Sequence, residues 1–162
     1  MDYVIVSHFD SDHSGGIKEV LENLKVKKLI ISKQVEKTEE CDQIMQIASK
    51  KQVKIIFIEA GQKLNIDKNI SFTILWPEEN ELISENPLNN NSIVAKLTYG
   101  EFQMLFTGDI EQIAEEKIVE KYGENLKSTI LKVAHHGSNT SSTDEFIKYV
   151  NPEIALIGVR KK

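Results

Sequence analysis

The chain has 162 residues, 40% hydrophobic and 28% charged, the balance of a globular protein able to bury one good core. Its net charge of -5 gives no global electrostatic case for nucleic-acid binding, although a local basic groove stays open. The single cysteine, Cys41, excludes an internal disulfide, no apolar run approaches a membrane span, and Met1-Asp2-Tyr3 does not resemble a signal peptide.

In chain order, Tyr3-Val4-Ile5-Val6 reads as a short buried strand. Directly after it comes Ser7-His8-Phe9-Asp10-Ser11-Asp12-His13-Ser14-Gly15-Gly16. Four side chains that bind metals well, His8, Asp10, Asp12 and His13, fall within six residues there. Imidazole nitrogen and carboxylate oxygen together suit zinc, manganese or iron. Gly15-Gly16 then opens a helical pattern with Ile17, Val20, Leu21 and Leu24 on one face. The candidates therefore sit between strand and helix, where α/β sheets build their sites. His8, Asp10 and Asp12 alternate, so one extended loop can aim all three at one place, while His13 must reach a neighbouring position. That is the arrangement a two-ion site needs. Helix capping by Asp12 or Ser14 is the alternative, but capping calls for neither two histidines nor two aspartates.

Further on, Lys28 to Ile31 is a strand, Glu39 to Lys51 an amphipathic helix, and Val53 to Ile58 a strand closed by Gly61. Cys41, Ile44, Met45 and Ala48 share the helix's apolar face, so Cys41 reads as core rather than as a nucleophile. This β-α-β-α-β series predicts a parallel sheet layered with helices. Strands follow at Ser71 to Leu75, Ile93 to Tyr99 and Phe102 to Phe106, the last two joined by a turn at Tyr99-Gly100-Glu101. A helix over Ile110 to Tyr122 turns Ile110, Ile113, Ala114 and Ile118 to one face and ends at Gly123. The chain closes with a strand from Ile130, a helix over Asp144 to Val150 and a strand over Ile154 to Val159. No repeat or linker divides it, so residues 1–162 read as one domain.

Three later stretches carry polar chemistry. Thr107-Gly108-Asp109 ends a strand, and its aspartate could simply cap the next helix. Asn89-Asn90-Asn91-Ser92 ends the irregular stretch that begins at Glu78 and reads either as a solvated turn or as a site loop. Ala134-His135-His136-Gly137-Ser138 also follows a strand. All four histidines of the chain lie in this stretch or in the first one, whereas core-packing histidines would be scattered.

His8-Phe9-Asp10-Ser11-Asp12-His13 resembles the metallo-β-lactamase superfamily signature His-x-His-x-Asp-His, with Asp10 in place of the second histidine. With Gly15-Gly16 and His135-His136-Gly137-Ser138, the variant is similar to the hydrolase domain of ComEC-type competence (DNA-uptake) proteins. The resemblance implies an α/β fold, a metallo-β-lactamase-like αββα sandwich. Family members usually carry several strands before the first motif and a further segment after the last strand, so a partial sandwich, a fragment of a longer domain, is expected. Exposed core surface would then favour dimers or aggregation.

The resemblance also implies roles. Asp12, His13, Asp109 and His136 would hold one ion, and His8, Asp10 and the shared Asp109 another. Asp12, Asp109 and His135 would stand closest to the chemistry. His136 is assigned to metal, with His135 stabilising charge or acting as a general acid; the reverse stays open. Asn90, Ser92 and Ser138 are the candidate substrate contacts, and Glu111 is either support for the site or first-turn helix charge. A further metal-binding histidine usual between the first motif and the later aspartate is absent here. The expected cofactor is one or two divalent ions, zinc or manganese, with Asp10 making its position harder. The expected activity is metal-dependent hydrolysis, as a phosphodiesterase or nuclease, with DNA or another phosphodiester as partner and a metal-activated water as nucleophile. Hydrolysis of another ester (a phosphocholine ester or a lactone) and a non-catalytic metal- or DNA-binding remnant are the alternatives. Taken alone the chain reads as cytoplasmic; within a competence membrane protein it would lie outside the cytoplasmic membrane.

Overall fold

Alternation of apolar strands with amphipathic helices dictates the first of two sheets. The computed structural model describes residues 1–33 and 38–159. β1 (Tyr3–Ile5), β2 (Lys28–Ile31) and β3 (Lys54–Phe57) lie in that order, all parallel. Parallel neighbours require crossover connections. The first carries α1 (Ser11–Ser14), a single turn, and α2 (Ile17–Asn23); the second carries α3 (Glu39–Lys50). The Thr38 hydroxyl caps α3 by accepting from the Cys41 N–H at 3.1 Å.

The second sheet runs β4 (Lys63–Asp67), β5 (Ile70–Trp76), β6 (Val94–Tyr99), β7 (Phe102–Phe106), β8 (Ile130–Lys132) and β9 (Ile154–Leu156), in sequence order. Pairing is antiparallel from β4 to β7 and parallel from β7 to β9. α4 (Pro87–Asn90) is a single turn between β5 and β6. The parallel part again needs crossovers, supplied by α5 (Gln112–Tyr122) and α6 (Asp144–Val150).

Strand alternation sets the layers. Leu29 and Ile31 point to α2 and α3, where Leu21, Ile44 and Ala48 meet them. Ile30, between them, points the other way and joins Ile74 and Ala95 of the second sheet and Ile93 just before β6. The outer face of that sheet presents Trp76, Val94, Leu105 and Leu131 to Ile118, Phe146 and Val150 of α5 and α6. Helices, sheet, sheet, helices is the αββα order expected. Each fully buried Leu, Ile, Val or Phe among them contributes about 1.5–3 kcal/mol.

Several elements differ from the sequence expectation. β4 was not expected: it is a sheet-edge strand in which only Leu64 turns inward and Ile66 is 38% exposed, so its alternation is weak. α1 and α4 lie in stretches read as loops, because a single turn leaves no 3.6-residue period to detect. α5 starts at Gln112 and turns Ala114, Glu115 and Ile118 inward, leaving Ile113 36% exposed. Glu115 is drawn in because its carboxylate accepts from the Ser142 and Thr143 N–H groups, at 2.6 and 2.8 Å, ahead of α6. Burial pushes its carboxyl above the ordinary carboxylate value, against these bonds. Leu24 ends α2 and is exposed, and β9 stops at Leu156 rather than Val159. Cys41 packs, half-buried, against the cluster under α3. Among the described residues no helix is long and apolar enough to cross a membrane.

Candidate metal centre

The C-terminal ends of β1, β7 and β8 meet at one place, and the Ile93 N–H donates to the Ser7 carbonyl across the two sheets at 2.9 Å. The loop after β1 brings in His8, Asp10, Asp12 and His13. The loop after β7 brings in Asp109, and the turn after β8 brings in His136.

Asp109 stands at the middle. One carboxylate oxygen, Oδ2, lies 3.1 Å from His13 Nε2, 3.3 Å from His136 Nε2 and 3.9 Å from His8 Nε2. Asp12 Oδ2 lies 3.0 Å from His136 Nε2 and 3.8 Å from His13 Nε2. One ligand atom from each of Asp12, His13, Asp109 and His136 lies within 4.8 Å of every other. Next to His13, its ring centroid 4.1 Å away, His8 has Nε2 3.6 Å from Asp10 Oδ2. All six expected ligands therefore converge, four in a tight group and two beside it.

Electrostatics mark the centre as unusual. His8 is fully buried, and burial first, then the like charge of His13, pushes its imidazole down to about 4. Burial pushes Asp10 up, helped by the charges of Asp12 and Asp109. Burial also works on Asp109, but the hydrogen bond and charge of His13, with His8 and His136, outweigh it and hold the carboxyl below its ordinary value. The donor set fits a divalent cation. Buried His8 Nε2 and Asp109 Oδ1 have no hydrogen-bond partner among the described residues, a cost of about 1–3 kcal/mol each unless something satisfies them.

The backbone prepares these side chains. Gly108 has φ +54°, and a Cβ there would lie 2.6 Å from the Ser92 Cβ and 3.3 Å from the Ser7 Cβ. Glycine alone lets the chain pass and deliver Asp109. His135 and His136 both occupy the left-handed region, φ 46° and 54°, which costs on the order of 1 kcal/mol or more each. Their turn is held by the His135 N–H on the Gly108 carbonyl at 3.3 Å and the Ser138 N–H on the His135 carbonyl at 2.8 Å. His136 Nδ1 donates to the Gly158 carbonyl at 2.7 Å, which leaves Nε2 for the centre.

His136, not His135, joins the tight group. His135 Nδ1 turns instead to Glu111 Oε1 at 3.5 Å and Thr140 Oγ1 at 3.4 Å. Asn90 and Ser92, expected as substrate contacts, are both 0% exposed and turn to the backbone of the loop after β7. Asn90 Oδ1 accepts from the Glu111 N–H at 2.9 Å, and Ser92 Oγ accepts from the Asp109 N–H at 3.2 Å. They brace the loop after β7 because a buried N–H must find an acceptor. Ser138 lies at the rim, its hydroxyl 3.0 Å from Thr140 Oγ1.

Other participants were not singled out from sequence. Ser7 Oγ lies 3.1 Å from His8 Nδ1 and 3.4 Å from His13 Nδ1; its place next to His8 was the only signal. Asn91 brackets Ile83, accepting from its N–H at 2.9 Å and donating to its carbonyl at 2.8 Å. Beside the centre, a cavity of about 380 Å³ opens between the sheets, lined by Ser7, His13, Phe72, Phe106, Gly108 and Lys132 among others.

Comparison with known proteins gives the family. Residues 1–159 match the metallo-β-lactamase superfamily. ComE operon protein 3 of Bacillus subtilis (strain 168) is 34% identical over 161 residues, covering 99% of this chain and 20% of that protein. Competence protein ComA of Neisseria gonorrhoeae is 34% identical over 158 residues, covering 96% of this chain and 20% of that one. The chain thus spans about a fifth of the length of these curated relatives. Among solved structures, CmlA, a diiron β-hydroxylase from Streptomyces venezuelae, covers 96% of this chain and 35% of its own with a TM-score of 0.56. At 11% identity it shows a shared fold and nothing further. With two facing sheets, helices outside, and the family match over residues 1–159, the chain belongs to the metallo-β-lactamase superfamily.

Proposed function

We propose that this domain is a divalent-metal-dependent hydrolase of phosphodiesters, acting on DNA. Superfamily membership supports metal-dependent hydrolysis, and competence proteins as relatives support a DNA-related role. The observation that carries the reading is the convergence of Asp12, His13, Asp109 and His136, beside a buried His8 Nε2 that has no hydrogen-bond partner among the described residues. In this reading those four hold one ion, and His8 and Asp10 with Asp109 hold a second, of zinc or manganese. Bound there, the metal would supply an acidified water and screen the charge of the phosphodiester. Asp109, shared by both positions, keeps a full negative charge between them. His136 is kept in the right tautomer by the Gly158 carbonyl. His135 and Ser138 meet the substrate at the rim. In a DNA-uptake protein the site would work outside the cytoplasmic membrane.

The test is manganese- and zinc-dependent cleavage of single-stranded DNA, run beside bis-p-nitrophenyl phosphate and a lactone, with metal content measured by elemental analysis. Cleavage of both phosphodiesters with metal bound is expected. Robust lactone turnover with no phosphodiester cleavage would move the domain to another ester. No turnover from folded, metal-loaded protein would leave a non-catalytic metal-binding role.

A further inference from the structure

One carboxylate near the centre is not among the expected ligands, yet Asn86, Asn90, Thr140 and His135 all turn to it. Glu111 is 8% exposed. Its Oε2 accepts from Asn86 Nδ2 at 2.8 Å and from Asn90 Nδ2 at 3.4 Å. Its Oε1 accepts from the Thr140 hydroxyl at 3.1 Å and faces His135 Nδ1 at 3.5 Å. Its own N–H is taken by Asn90 Oδ1 at 2.9 Å. Helix N-terminal charge alone needs none of this. Asn86 and Asn90, at the two ends of α4, and Thr140, from the loop before α6, converge on this one group.

Proton directions around His135 follow. Thr140 gives its hydroxyl hydrogen to Glu111, so its oxygen is left as an acceptor toward His135 Nδ1 at 3.4 Å. Both atoms facing Nδ1 are then acceptors, and Nδ1 carries the hydrogen. The ring is gripped from inside by this one nitrogen. Its side chain is 30% exposed, and Nε2 is the ring nitrogen left for whatever enters the site. The His135 N–H is fixed on the Gly108 carbonyl, one residue before Asp109, so the ring stands beside the metal centre rather than in it.

We propose that Glu111 is a positioning residue: it fixes the His135 ring with Nδ1 held inward and Nε2 presented to the substrate's phosphodiester. The inference rests on the phosphodiesterase reading for its consequence, but not for the ring geometry itself. A carboxylate that orients an imidazole commonly contributes about 10- to 100-fold to a metal site's performance. Here the oriented ring is a substrate contact, so the effect falls on kcat more than on metal affinity.

Four proteins test it: wild type, Glu111→Gln, His135→Ala and the double variant. Glu111→Gln keeps the shape but can donate where the carboxylate only accepts. Expected is a kcat for bis-p-nitrophenyl phosphate lower by about 10- to 100-fold, with metal content unchanged. The double variant should be no slower than His135→Ala alone, because Glu111 acts through that ring. Losses that multiply would mean a merely structural role and overturn the proposal. Independently of activity, nitrogen-15 spectra of the imidazoles in metal-free protein should place the His135 hydrogen on Nδ1 in wild type and redistribute it in Glu111→Gln. An unchanged His135 signal would also overturn it. If Glu111→Gln does not fold, Thr140→Val at the exposed rim removes the other acceptor, and the same non-additivity with His135→Ala is required. Absence of phosphodiester cleavage by wild type would sink the phosphodiesterase reading and leave the ring spectra to decide this one.

Discussion

The centre has two walls, and they are built in opposite ways. The loop after β1 supplies four candidate ligands from six consecutive positions, with little behind them beyond Ser7 and the Ser14 hydroxyl on the Asp10 carbonyl at 3.0 Å. Its carboxylates are open, the Asp10 and Asp12 side chains being 40% and 59% exposed. The opposite wall supplies one ligand from each of two loops, but the Asp109 side chain is 4% exposed. Behind it lie Ser92, Asn90, Asn91 and Glu111, all buried and all hydrogen-bonded. Dense donors on a short loop can reach a cation by adjusting to it. A lone donor from a distant loop must be placed in advance, and the buried polar scaffold does the placing.

The largest effect should come from breaking the fixed wall at its ligand. Asp109→Asn removes charge from both proposed metal positions at once. Phosphodiester turnover should fall by more than about 100-fold, the upper end of what outer partners alone command. The melting temperature should change little by comparison. Asp12→Asn, on the open wall, should cost nearer about tenfold in metal affinity, because water can replace an exposed oxygen. Equal losses from the two, by elemental analysis and turnover together, would erase the distinction between the walls.

Backbone substitutions sharpen the same contrast. Gly108→Ala puts a methyl group 2.6 Å from the Ser92 Cβ at a left-handed position. A loss of about 1–3 kcal/mol is expected, seen as a lower urea midpoint at unchanged m-value, with metal affinity falling as Asp109 shifts. Gly16→Ala, at φ -82° with nothing within 4 Å of the new methyl, should be neutral or stabilising by up to about 1 kcal/mol.

His8 gives the open wall a pH signature in metal-free protein. Its folded value is pushed from 6.5 to about 4, so the unfolded chain binds the proton more readily. The stability tied to neutral His8 is complete above 6.5 and is lost as pH falls through about 4. The full loss is on the order of 3 kcal/mol, read by urea melts across that window. His8→Gln should flatten the slope.

What was legible in the sequence divides along the same line. The first wall could be read because chemistry and position coincide: four donors lie together after one apolar strand. The parallel first sheet was legible for a related reason, since its strands are short apolar runs and a periodic helix joins each to the next. Asp109 carried almost no local signal and was singled out by likeness to a known signature, whereas the clustering of all four histidines marked the stretch of His136 and the likeness supplied its role. The scaffold was legible as residues but not as partners: Glu111 read as site support or helix charge, and Asn90 and Ser92 as substrate contacts. Asn90 and Ser92 sit beside a strand as polar residues do in any loop, and nothing local says that their partners are the Glu111 and Asp109 N–H groups. Thr140 reaches Glu111 from 29 positions away. Such pairs are products of the tertiary fold, not of any local period.

α5 shows the same limit on a smaller scale and gives the smallest predicted effect. Its apolar residues suggested a face that includes Ile113, but the helix is rolled so that Glu115 goes inward to receive the Ser142 and Thr143 N–H groups. Two buried N–H groups without an acceptor would cost more than one half-exposed isoleucine gains. Ile113 is therefore left 36% exposed, at the surface of the fixed wall's own helix. Ile113→Gln should change stability by no more than about 0.5 kcal/mol, as for an ordinary surface substitution. A loss in the range of about 2–5 kcal/mol would put Ile113 in the core, as the sequence pattern alone suggests. Glu115→Ala is the counterpart: it strips the acceptor from both N–H groups and should cost about 1–3 kcal/mol in the same urea melts. If the two variants exchanged rank, the roll of α5 would be wrong, and with it the route by which that helix carries Glu111 to His135.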